Sequence, residues 1–426
     1  MRQLLPPRAI LQVGIVLVTL STVAVASGVT LDFGDGRDMD IFFMVQFWNT
    51  TTFNAKNDLG EDVQDRNDFF IRRGRIGVKG HFRPTIRYVF NFAFDGVGMD
   101  IFNGSTGTAQ LPENKQFFLW DGFVLFALEP TWANLTVGYF RPQVGRESIT
   151  SSFVVNSYIK ALPNAYPRLH FAGRGSGRET GLNLGGAYRG NSVNLNYNLG
   201  LFDPNSERIT GNVGGGRYWA PMWAGRLAVT LGQAELEVYE VGYLVNYFSK
   251  RRGLTLAINS TYQGQTNETL NDSTYVGGFK NNCMVGCDLL ANYDHFNLSA
   301  EYDRMTRRFT DPFATELQAV GELPVGATQY SDEVWFVRAG YNFVLNNGKV
   351  LEPVLLWTKF TADDASVYYS GGEQEIFSVG LNWYIDRNRL KLNLHYHFQS
   401  GRPISLYSSG LDASGDFMGL GLQLVF

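Results

Sequence analysis

The chain has 426 residues, a formal charge of −4, 18% charged and 14% aromatic side chains, 47 glycines and 14 prolines. Beyond Val23 no apolar run reaches the ~18 residues that a spanning helix needs, which excludes a bundle of membrane helices. Charge is spread evenly, with no linker, low-complexity tract or charged block, so a string of soluble domains is disfavoured against one large β-structure.

In chain order, the first predicted element is an export leader. Arg2 and Arg8 precede the mostly apolar stretch Ala9 to Val23, and Ala24-Val25-Ala26 supplies a small-x-small cleavage pattern. This predicts a leader over 1–26, a short segment over 27–38 and a single β-domain over 39–426.

Strands are predicted near 39–48, 67–81, 85–94, 117–128, 134–140, 179–188, 193–201 and 222–231. Eight more fall near 254–263, 281–293, 297–305, 333–344, 350–360, 375–385, 390–398 and 416–426. Several alternate cleanly. Ile86, Tyr88, Phe90, Phe92 and Phe94 oppose Arg87, Asn91 and Asp95; Leu195, Tyr197 and Leu199 oppose Asn194, Asn196 and Asn198. A long apolar stripe opposite charges and amides suits a wall with hydrocarbon on one side and water on the other. Connections alternate short (82–85, 129–133, 189–192, 294–296, 345–349, 386–389) and long (49–66, 141–178, 202–221, 307–332, 399–415), as barrels with short periplasmic turns and long external loops do. The stretch 232–253 breaks this rhythm. It falls where a short turn belongs, yet Tyr239, Val241, Tyr243, Val245 and Tyr247 alternate like a strand, which leaves eighteen strands open beside sixteen.

At the end of the chain Met418, Leu420, Leu422, Leu424 and Phe426 oppose Phe417, Gly419, Gly421 and Gln423. The terminal Phe426 is similar to the assembly signal of bacterial outer-membrane barrels. The expectation is an all-β protein: a transmembrane antiparallel β-barrel of about sixteen strands in the bacterial outer membrane, with the lipid bilayer as its first partner. Cys283 and Cys287, four residues apart, would lie roughly 13 Å from each other on one strand, too far for a disulfide; in a loop tip they could bridge.

Basic residues concentrate in two places. The connection 141–178 carries Arg141, Arg146, Lys160, Arg168, Arg174 and Arg178 against Glu147 alone, together with the stretch Ser148 to Val155, too apolar for a fully solvated surface loop. A long third loop folded into the lumen accounts for both features; a basic external loop touching surface sugars or phosphates is the alternative. On the strand 67–81, with Ile76 and Val78 toward lipid, Arg73, Arg75 and Lys79 face inward, and Arg87 joins them from the next strand. Arg72 falls on the lipid parity. Arg226 and Arg338 also come out inward-facing. Such cations line a pore that concentrates small anionic solutes, because low-dielectric walls focus the field of fixed charges. Asp121, Asp288, Glu301 and Asp303 also reach the lumen parity and would cancel the field if they pair with the arginines.

Other classes find less support. The five histidines, His81, His170, His295, His395 and His397, form no recognisable Ser/His or Asp/His constellation, so an enzyme is not expected. His395 and His397 share one strand face about 7 Å apart, without a third metal ligand in view. No cofactor, metal or nucleic-acid partner is expected. A sugar channel using Phe153, Tyr158 and Tyr166 as an aromatic ladder, and a barrel plugged by its third loop, stay open.

Three segments carry a family resemblance. Phe70-Ile71-Arg72-Arg73-Gly74-Arg75-Ile76-Gly77, Val137-Gly138-Tyr139-Phe140-Arg141-Pro142-Gln143-Val144-Gly145 and Gly177-Arg178-Glu179-Thr180-Gly181 resemble, at matching spacing, segments of the phosphate-selective porin O/P family. Gly74, Tyr139, Gln143 and Val144 depart from its pattern. The resemblance implies a sixteen-stranded, homotrimeric channel whose third loop constricts the pore, and it makes phosphate or a similar oxyanion the solute class to test.

Overall fold

A computed structural model of the protein describes residues 28–56, 62, 64–99, 117–172, 177–204, 221–264, 267–270, 273–276, 279–321, 323–366, 371–401 and 414–426. The expected leader over 1–26 lies outside them. Sixteen strands form one closed antiparallel barrel: β1 (Arg37–Lys56), β2 (Arg66–Arg83), β3 (Ile86–Ala93), β4 (Phe118–Glu129), β5 (Ala133–Phe140), β6 (Glu179–Arg189), β7 (Val193–Asp203) and β8 (Met222–Gly232), followed by β9 (Gly253–Gln263), β10 (Phe279–Tyr293), β11 (Phe296–Phe309), β12 (Gln329–Tyr341), β13 (Val350–Thr361), β14 (Glu373–Asp386), β15 (Leu390–Gly401) and β16 (Ser414–Val425). β16 pairs with β15 and, through Met44↔Val425 to Phe53↔Asp416, with β1. Closure leaves no ladder edge in the wall, the condition for a β-structure to stand in hydrocarbon. Phe426 adds to the seam: its N–H donates to the Phe43 carbonyl at 2.8 Å, and Phe43 N–H returns a bond at 3.3 Å.

Period-two patterning sets the faces. Leu199 is 50% exposed beside Asn198 at 4%, and Ile258 is 64% exposed beside Asn259 at 5%. Apolar side chains therefore cover the outside and amides and charges line the inside, as the alternation predicts. On β15 the buried face carries Lys391, Asn393, His395 and His397.

Two β-bulges break this parity where it matters. Gln46 pairs with Arg73 and Phe47 with Ile71, so Arg72 is an extra residue in β2. Asn91 pairs with Asp121 and Phe92 with Leu119, so Trp120 is extra in β4. A bulge re-aims the side chains around it. Arg72, expected toward lipid, instead brings its guanidinium carbon 5.3 Å from the ring centre of Trp48, a buried residue of β1.

The segment 233–252 is neither a short turn nor a pair of strands but an irregular connection. Its alternating tyrosines seek partners on the buried face: Tyr239 Oη donates to Asn198 Oδ1 at 2.7 Å, and Tyr243 Oη to Asn196 Oδ1 at 2.5 Å. The alternation thus marks packing against amides rather than lipid. Outside the barrel proper, Val29–Gly34 pairs with the start of β1, and a small hairpin joins Asn267–Leu270 to Ser273–Val276. Cys283 and Cys287 both lie on β10 as free thiols.

Candidate functional site

The connection between β5 and β6 begins Arg141-Pro142 and turns at Gly145, whose φ of +65° favours glycine. A Cβ there would lie 2.8 Å from Glu301 Oε1 on β11. The one-turn helix α1 (Arg146–Ile149) follows, then a 3₁₀ turn with Pro163 near its start, then α2 (Tyr166–Ala172).

Its contacts run from strand to strand along the barrel's buried face. Tyr158 stacks on Trp48 of β1 at 3.9 Å between ring centres, and Tyr166 stacks on Phe360 of β13 at 3.7 Å, pairs that contribute about 1 kcal/mol each beyond area burial. Gln423 of β16 donates to Phe153 O at 2.8 Å, Lys391 of β15 to Val155 O at 2.9 Å and Asn382 of β14 to Asn156 O at 2.5 Å. Arg338 of β12 forks onto Glu147 at 2.6 and 3.1 Å, Glu147 N–H donates to Glu301 of β11 at 2.6 Å, and Arg146 donates to Asp288 of β10 at 2.9 Å. This belt covers β10 to β16 and β1.

On the remaining side, toward β2 to β6, a cavity of about 210 Å³ opens. Arg75, Arg141, Lys160, Arg168 and Arg178 line it, with Asp121 the one carboxylate among its lining residues. The bulged Trp120 stands between two of them, its ring centre 3.9 Å from the Arg75 guanidinium carbon and 3.8 Å from that of Arg178. Such cation–π contacts hold guanidinium groups in place without neutralising them. Arg75 is also paired with Asp95, at 3.0 Å through Nη2, and Arg178 with Asp121 at 3.0 Å. The other three donate to neutral oxygens. Arg141 and Lys160 share the carbonyls of Ser148 and Thr150, Lys160 reaching Thr150 O at 2.7 Å, and Arg168 reaches Asn164 Oδ1 at 3.0 Å. Arg73 stands nearby, hydrogen-bonded to Gln46 at 2.9 Å.

Crowding cations raises the cost of each one. Burial, with Arg178 and Arg72 close by, pushes Arg168 down to about 9, still a cation at neutral pH. Burial and the Arg141 guanidinium hold Lys160 well below the usual lysine range, although Glu147 opposes them. A bound anion would relieve that repulsion, and arginine's planar fork fits oxyanions.

Arg146 is the opposite case. Burial alone would lower it, but Glu235 and Asp288 outweigh burial and hold it above the usual arginine range. Arg226 shares Asp288 through two bonds of 2.8 Å. Arg146 and Arg226, expected to line the pore, are therefore neutralised outside the cavity. Lys79 and Arg87 line a second cavity of about 470 Å³ that also holds Asp38, Asp40 and Glu240. Arg174 lies outside the described residues. Sequence parity missed Arg72 and Trp120, because a bulge leaves no mark in a period-two pattern. Among the described residues no cluster of three or more His, Cys, Asp or Glu side chains suits a metal ion. His395 and His397 stack at 6.0 Å between ring centres.

A closed sixteen-stranded barrel with an apolar outside, a polar inside and an internal cation-lined cavity defines an outer-membrane porin, a diffusion channel. The sequence profile of the family described as phosphate-selective porin O and P matches residues 49–426, and the chain belongs to that family. Comparison with curated protein sequences finds no match. Among solved structures, the fold is similar to OmpF of Salmonella typhi in complex with daunomycin, at 12% identity over 93% of this chain and 99% of that one, with a TM-score of 0.55. It is also similar to an anion-selective porin from Comamonas acidovorans, at 11% identity, 92% and 100% coverage and a TM-score of 0.53. The outer-membrane channel DcaP of Acinetobacter baumannii aligns at 12% identity, 94% and 100% coverage and a TM-score of 0.50. At these identities the likeness establishes the fold.

Proposed function

We propose that this porin prefers anions, with phosphate or a similar oxyanion as its solute, and that the connection 141–178 is the inward loop that constricts it. The observation that carries the reading is the imbalance of the 210 Å³ cavity: Arg75 and Arg178 are paired with Asp95 and Asp121, while Arg141, Lys160 and Arg168 add three cations that donate to neutral oxygens. Fixed cations between low-dielectric walls concentrate anions and repel cations. The family's description agrees with this solute class. Because the belt of contacts seals 141–172 against β10 to β16 and β1, a solute passes on the side of β2 to β6, directly beside the arginines. Export through the leader over 1–26 and assembly as a homotrimer complete the proposal.

The test is a titration of chloride current through single refolded channels with inorganic phosphate. Phosphate blocks the wild-type current, and Arg168→Ala raises the half-blocking concentration about tenfold, the loss of one charge-assisted hydrogen bond. A current indifferent to phosphate overturns the oxyanion reading.

A further inference from the structure

Val89 on β3, Phe123 on β4 and Val241 in the connection 233–252 line both the 210 Å³ cavity and the 470 Å³ cavity. The two spaces therefore border the same three apolar side chains, Val89 and Phe123 opposite each other on the wall and Val241 on the connection. On one side stand the arginines; on the other stand Asp38, Asp40 and Glu240, with Lys79 and Arg87 among them.

We infer that Val89, Phe123 and Val241 form an apolar neck that limits ion flow between the arginine cavity and the vestibule at the short-turn end. The inference rests on the anion path proposed above. An ion stabilised among cations must shed hydration to enter an apolar constriction, and such constrictions control conduction by dewetting. The neck then sets current and solute size, while the arginines set charge preference.

The geometry holds Val241 at this point. Phe123 is braced by Phe140 at 5.6 Å between ring centres. On the connection, Arg87 donates to the Tyr239 carbonyl and approaches Glu240 at 3.8 Å, just before Val241. Glu235 accepts a fork from Arg146 of α1 at 2.5 and 3.0 Å. Gly242, with φ +103°, lies against the Ile149 carbonyl. The connection is thus pinned to the wall and to the constriction loop on either side of the valine.

Single-channel conductance of Val241→Ser, Val241→Trp and Val89→Ser in planar bilayers tests this, with heat-modifiable gel mobility confirming that each barrel folds. Either serine variant raises chloride conductance roughly threefold or more by wetting the neck, and the tryptophan lowers it. Val89→Ser reads the same neck from the wall should the connection not tolerate change. Unchanged conductance in folded variants, with phosphate block intact, overturns the neck and leaves the anion reading standing. Serine variants that conduct more while phosphate fails to block do the reverse. A wild-type channel that stays closed, and stays closed in both serine variants, overturns both.

Discussion

Arg338 and Glu147 stand 191 positions apart and are joined by two hydrogen bonds of 2.6 and 3.1 Å, both side chains fully enclosed. The pair fastens α1 to β12. Removing one partner of such a pair strands a charge, whereas replacing both with apolar groups costs little. Arg338→Ala should therefore lower resistance to urea by about 3–5 kcal/mol, and Arg338→Met with Glu147→Leu should recover most of that loss. A double-mutant cycle on refolded protein measures the coupling; additive single losses would show that the pair does not act as a unit.

Lys160 gives a pH signature with two opposite signs. Its proton leaves below the ordinary lysine value of about 10.4, because burial and then Arg141 disfavour the charge. Since the native state holds this proton more weakly than the unfolded chain does, the cost of the buried charge is fully present below the native pKa. It is relieved as pH rises through that value toward the unfolded one. Stability should thus rise with pH across this window while anion preference falls. Lys160→Gln should weaken both trends in paired unfolding and reversal-potential series, leaving the part contributed by Arg168, which burial holds at about 9.

Gly145→Val combines a disfavoured φ of +65° with a Cβ 2.8 Å from Glu301 Oε1. The first turn of the 141–178 connection cannot then sit on β11. Open-channel noise should increase, with gel mobility of the barrel unchanged and a loss of about 1–3 kcal/mol in stability. Quiet wild-type-like current would show that this turn does not depend on its glycine.

Cys283 and Cys287 share β10, so the strand rise separates them by roughly 13 Å, beyond disulfide reach. Mass spectrometry of denatured, unreduced protein should show two maleimide labels per chain. A single unlabelled species two mass units lighter would contradict the strand assignment.

The barrel was legible because lipid outside and polar groups inside impose a period of two over sixteen segments, and the predicted strands 179–188, 193–201 and 222–231 sit within a residue or two of β6, β7 and β8. What stayed hidden has a common cause. Arg72 and Trp120 occupy bulges, which insert one residue without changing composition, so parity assigned Arg72 to the wrong face. Tyr239 and Tyr243 alternate because they meet asparagines of β7, a tertiary demand that imitates a strand. The basic character of 141–178 was plain. Which of its cations stay beside neutral oxygens, as Arg141, Lys160 and Arg168 do, and which are neutralised, as Arg146 is by Glu235 and Asp288, depends on partners about 90 to 140 positions away.

The proposed anion preference depends on cations lining the conducting path. Its most direct test is the reversal potential of the refolded protein in a planar bilayer across a potassium chloride gradient, compared with Arg141→Ala/Arg168→Ala. A potential favouring chloride that collapses toward zero in the double variant is the predicted result. A potential of zero or one favouring potassium in the wild type would contradict it.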